Sequence, residues 1–96
     1  MSNRIELEFD DKSVSSLAGY PYGLSTYEEQ VKSKIDFKAD RIIIVFPEYK
    51  NVIASSFIEG FFDDIIKNIG LVGIRNKIVI ESPHQSIKDA INKSLC

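Results

Sequence analysis

The run Arg41-Ile-Ile-Ile-Val-Phe-Pro47 constrains the fold more than any other stretch of this chain. Four consecutive β-branched residues favour an extended backbone. The lack of polar alternation predicts a strand buried on both faces, at the centre of a sheet. Pro47 ends the run, because it has no amide hydrogen to give a neighbouring strand. The run is also far too short to cross a bilayer, which takes about 20 apolar residues in a helix.

The other segments arrange themselves around that strand. In Arg4-Ile-Glu-Leu-Glu-Phe9, Ile5, Leu7 and Phe9 alternate with charged residues. This period of two predicts a strand with one wet face, at a sheet edge or in an antiparallel pair. Residues 10–23 are rich in Ser, Gly and Pro and read as a loop, within which Val14 and Leu17 fit either a short strand or a turn. The Tyr20-Pro21-Tyr22 aromatics there fit either a contact surface or a cover over the end of the core. Ser25 followed by Glu28 has the spacing of a capping box, and Tyr27, Val31 and Ile35 share one face of the helix it would open.

A second helix is expected from about Ser56 to Ile69, with Ile58, Phe61, Phe62, Ile65, Ile66 and Ile69 as its apolar stripe and Gly70 ending it. Residues 76–82 form another short strand. Ser82, Pro83 and Gln85 then mark the start of a last helix whose inner face is Ile87, Ala90, Ile91 and Leu95. The pattern predicts an α/β fold, a single domain over residues 1–96, with about four strands in a mixed sheet and three helices packed against it.

Composition limits function. Hydrophobic residues make up 44% and charged residues 27%, the balance of a soluble globular domain. A net charge of −2 argues against general nucleic-acid binding, which leaves a basic footprint. No signal-peptide core precedes the first strand, so a cytoplasmic location is expected, with no membrane segment. The one cysteine, Cys96, allows no internal disulfide, and with the one histidine, His84, it gives too few ligands for structural zinc. Gly70-Leu-Val-Gly-Ile-Arg75 lacks the Gly-Lys-Ser/Thr of a phosphate loop and follows a helix instead of a strand. Glu59, Asp63 and Asp64 read as solvated charge on the outer face of a helix. No cofactor and no enzymatic activity are expected. A hydrolase using Ser55 with His84 would need an acid to orient the histidine, and the sequence pairs none with it.

Two adjacent serines carry the functional question. Ser56 begins Ser-Phe-Ile-Glu59, a capping box, and reads as the N-cap of the central helix. Ser55 is then a small polar residue just outside the helix, where the amides and the helix dipole favour negative charge.

The stretch from Arg41 to Gly70, with Ala54-Ser-Ser-Phe57 at its centre, resembles the strand–loop–helix unit of STAS domains, the fold of anti-sigma factor antagonists. It is more similar still to the STAS-like family of small bacterial and phage-borne domains, and the similarity covers about residues 24–95. The antagonists read Asp-Ser-Ser-Gly at the positions of 54–57, and a partner kinase phosphorylates the first serine, which corresponds to Ser55. Here Ala54 replaces the aspartate and Phe57 the glycine, and the STAS-like group shares the aromatic. The resemblance implies a non-catalytic regulatory domain that binds a partner of the histidine-kinase-like ATPase type. The expected surface is Asn51, Ser55, Ser56, Glu59 and Gly60. The alternative is a structural or oligomerisation subunit that meets its copies or a larger complex through the 4–9 edge strand.

Overall fold

The computed structural model describes residues 2–95. Along the chain these form β1 (Ser2–Glu6), β2 (Ser16–Leu17), α1 (Tyr20–Thr26) with a π turn over Tyr27–Val31, β3 (Arg41–Val45), β4 (Val52–Ile53), α2 (Ser55–Lys77), β5 (Ile78–Glu81) and α3 (Gln85–Ser94). The main sheet has three strands in the order β1-β3-β5, and β2 and β4 form a separate two-stranded pair. Every pairing is parallel, with Ile5 opposite Ile44 and Ile44 opposite Ile80. The expected four-stranded mixed sheet is therefore corrected on both strand number and direction. A helix follows β1 and another follows β3, and each returns the chain to the end from which it started, so the next strand comes in parallel. The two-residue strands bond to each other at the base of the helices instead of joining the main sheet.

β3 is central, as its apolar run predicts. It is not buried on both faces, however. Ile42, Ile44 and Phe46 are fully buried, while Ile43 and Val45 are half-buried. The fully buried side chains of β1 and β3 point to one face, where α1 and α2 pack against each other and α2 packs on β3 and β5. On the opposite face, Arg4 reaches across β3 to Glu81 at 3.0 Å. β1 is the edge strand that its alternation allowed, in a parallel pair.

The helices cross at two glycines. A methyl group on Gly60 would lie 2.1 Å from the carbonyl oxygen of Tyr20, and one on Gly23 would lie 2.1 Å from that of Phe57. The two backbones thus touch directly, a spacing that excludes any side chain at either position. Around this crossing lies an aromatic cluster. Phe57 and Phe61 stack at 6.0 Å, and Tyr22 meets Phe57 edge-on at 5.4 Å. Tyr22 does fold over the end of the core, although its ring is still 41% exposed.

Helix starts differ from the capping patterns. α1 begins five residues before Ser25, at a turn where Gly19 has φ 102 and Pro21 sits in the first helical turn. Inside the helix, the hydroxyls of Ser25 and Thr26 both donate back to the carbonyl of Tyr22, at 3.1 and 2.8 Å. Ser25 is therefore a mid-helix residue bonding to the turn behind it, not a cap. Ser82 caps no helix amide: its hydroxyl accepts from the amide of His84, at 3.0 Å, in the turn that leads to α3. In α2, Gly70 interrupts the helix with φ 69 and ψ 174, but a second helical segment carries on to Lys77.

Lys50 is 2% exposed. Its ammonium donates to the carbonyl of Asp11 at 2.9 Å and to that of Val14, and lies 5.6 Å from the Phe9 ring. These bonds hold the loop after β1 against the chain before β4. A buried ammonium needs such partners, because without them its desolvation is prohibitive.

Candidate partner-binding surface

α2 starts directly from β4. Ala54, in extended conformation, is the cap residue, and its carbonyl accepts from the amides of Phe57 and Ile58 at 3.1 and 3.2 Å. Its own amide donates to the carbonyl of Leu17 at 2.8 Å, so the helix start is fixed to β2. Ser55 and Ser56 are therefore the first two helical residues, and Ser56 is not the N-cap that the Ser-Phe-Ile-Glu pattern predicts. A serine hydroxyl at that position has a stronger claim on it. The amide of Gly19 donates to Ser56 Oγ at 2.9 Å. This bond joins the starts of α1 and α2.

The two serines thus face different surroundings. Ser56 is half-buried against Gly19, and Ser55 is exposed. Glu59, one turn on from Ser55, is exposed as well, as is Asn51 in the loop before β4. The carbonyl of Asn51 accepts from Ser86 Oγ at 2.6 Å, which ties this loop to the first turn of α3. Val52 between them is 54% exposed. Gly60 is buried beneath this surface at the helix crossing, where it presents no atoms for docking. The five residues therefore divide into three at the surface (Asn51, Ser55 and Glu59) and two behind it.

The acidic residues further along α2 are less free than a solvated patch. The buried Tyr27 donates its hydroxyl to Asp64 Oδ2 at 2.6 Å. Burial, and then this carboxylate, push the Tyr27 phenol well above its ordinary value, so it stays a donor. Asp63 pairs with Lys67 at 3.1 Å, one turn apart. His84 lies in the turn before α3, with its Nε2 2.6 Å from the carbonyl oxygen of Glu48. Since a carbonyl only accepts, that nitrogen carries the proton. No hydrogen bond among the described residues joins His84 to Ser55.

The roles of Lys50, Gly23 and Tyr27 gave no signal in the sequence, since each has its partner 36 or more residues away in the chain or on another helix. Among the described residues, no group of three or more His, Cys, Asp or Glu side chains is placed to hold a metal ion. No helix among them is long and apolar enough to cross a membrane. Compared with protein-family models, with curated proteins and with solved structures, the chain matches none.

Proposed function

We propose that this domain is a non-catalytic regulatory module that binds another protein through the N-terminal end of α2, with Ser55, Glu59 and Asn51 at the contact. The observation that supports this reading is the division of the two serines. Ser56 is taken up by the Gly19 amide, while Ser55 stands exposed one residue earlier, beside an exposed valine and an exposed glutamate. Exposed apolar and polar groups held on a rigid strand–helix junction suit docking, because little is lost in ordering them. The resemblance to STAS-like domains supplies the partner class, a histidine-kinase-like ATPase, and a role in bacterial regulation or defence. A phosphoryl group on Ser55 would add charge at this surface and act as a switch on the same contact.

Affinity capture from the native host, run in parallel with wild type and Ser55→Asp, tests this. A histidine-kinase-like ATPase retained by wild type and lost from Ser55→Asp is the expected outcome. A partner held equally by both removes the α2 surface from the contact. A second reading, a structural or oligomerisation subunit, is favoured by the position of β1 at the edge of the sheet. Recovery of copies of the chain alone would select it.

A further inference from the structure

The free edge of β1 has a register preference of its own. Leu7 donates its amide to the carbonyl of Val45 at 2.9 Å, so Leu7 faces β3, and by the two-residue repeat so do Ile5 and Asn3. Arg4, Glu6 and Glu8 direct their main-chain groups the other way, out of the sheet. At Glu8 these groups are already engaged. Its amide donates to Gln30 Oε1 at 2.8 Å, and its carbonyl accepts from Gln30 Nε2 at 2.7 Å. The Gln30 amide thus stands where the backbone of a next strand would stand. No side chain does the same for Arg4 or Glu6 among the described residues, and an open groove of about 680 Å³ runs beside them, walled by Gln30 and Lys34.

We infer that β1 pairs antiparallel with β1 of a second copy across a two-fold axis at Ile5, joining two three-stranded sheets into one. In an antiparallel ladder the residues that exchange both hydrogen bonds must both point outward, so Arg4 and Glu6 can face only even-numbered residues of the partner. An axis at Arg4 sets Arg4 against its own copy. An axis at Glu6 sets Glu6 against its own copy, and sets Arg4 against Glu8, whose main chain Gln30 already holds. An axis at Ile5 sets Arg4 against Glu6 twice; it also sets Ser2 against Glu8, where Gln30 stands, so the ladder consists of the two Arg4–Glu6 pairs alone. Of the three, only this last register sets no like charges against each other, and like charges directly opposite are destabilising.

The side chains of Arg4 and Glu6 both lie on the face away from the helices, where they are exposed. Arg4 uses only Nη1 toward Glu81, which leaves other guanidinium donors for a carboxylate across the axis. Gln30 ends the ladder at Glu8, and the two-fold axis uses both β1 edges, so pairing through β1 stops at two copies. The inference deepens the second reading above and rests on it; it does not involve the α2 surface.

Sedimentation equilibrium with the purified full chain, up to about 1 mM, where weak association becomes visible, tests it. The mass of wild type should rise toward that of a dimer. Arg4→Glu and Glu6→Arg each place like charges across the axis and should be monomeric over the same range, with wild-type circular dichroism. The double exchange, Arg4→Glu with Glu6→Arg, restores opposite pairs and should recover the dimer. A wild type that stays monomeric overturns the inference. So does a dimer that both single variants retain, or one that the double exchange fails to recover. A monomeric wild type that still captures its ATPase would sink this inference alone, and a dimer without that capture would sink only the α2 reading.

Discussion

Ser56→Ala removes the acceptor for the half-buried Gly19 amide, so it should cost about 0.5–1.5 kcal/mol, the usual net value of a hydrogen bond. Ser55→Ala, at an exposed position, should stay within about 0.5 kcal/mol of wild type. Urea unfolding of the two variants checks both, and equal losses would contradict the division of roles. The sequence pattern did show that these serines sit at a helix start. It assigned Ser56 to the wrong partner, because a capping box describes only contacts three residues apart, and the actual donor, Gly19, is 37 residues upstream. Tyr27 provides a second test at this scale. Its folded pKa lies above the ordinary phenol value of 10.0, first through burial and then through Asp64. Such a group contributes stability that is fully present below the unfolded value and is lost as pH rises through the folded one. Wild type should therefore lose stability above about pH 10 more steeply than Tyr27→Phe. At neutral pH, Tyr27→Phe should be weaker by about 1 kcal/mol for the lost bond. Identical alkaline slopes in the two proteins would remove Tyr27 from the account.

Among the elements, those set by periodicity were legible and those set by close contact were not. Residues 41–46 read as a strand because three isoleucines and a valine in a row favour an extended backbone, and β3 is central, although only one of its faces is fully buried. The stripe from Ile58 to Ile65 likewise gave α2 its buried face. The start of α1 could not be read this way. It depends on Gly19 adopting φ 102 and on Tyr22 packing on Phe57, neither of which has a period. The same holds for the direction of the helix crossing, which Gly23 and Gly60 set together. Gly60→Ala puts a methyl group 2.1 Å from the Tyr20 carbonyl, a backbone atom that cannot move aside without shifting α1. It should destabilise by about 1–3 kcal/mol, the range for overpacking, even though alanine is the better helix former. Thermal unfolding would show it, and a Gly60→Ala protein as stable as wild type would mean that the helices do not touch here.

The molecule as a whole is a two-layer parallel α/β domain with helices on one face of a three-stranded sheet. The two places proposed for it to meet other proteins are the start of α2 and the edge of β1. Both follow from how the fold distributes its contacts. Lys50 and Ser56 fasten the loops around the helix starts, and Ser55 and Glu59 stand exposed beside them. Ala54-Ser-Ser-Phe57 marks this junction in the sequence, but the bond from Gly19 is what separates the half-buried Ser56 from the exposed Ser55. The proposal that partner binding occurs at Ser55 has one direct measurement: the dissociation constant of the captured partner for wild type, Ser55→Ala and Ser55→Asp, by calorimetry. Ser55→Ala should bind within about twofold of wild type, and Ser55→Asp should bind about tenfold or more weakly, through added charge and its desolvation at the contact. Equal dissociation constants for all three would place the partner elsewhere on the molecule and contradict the account.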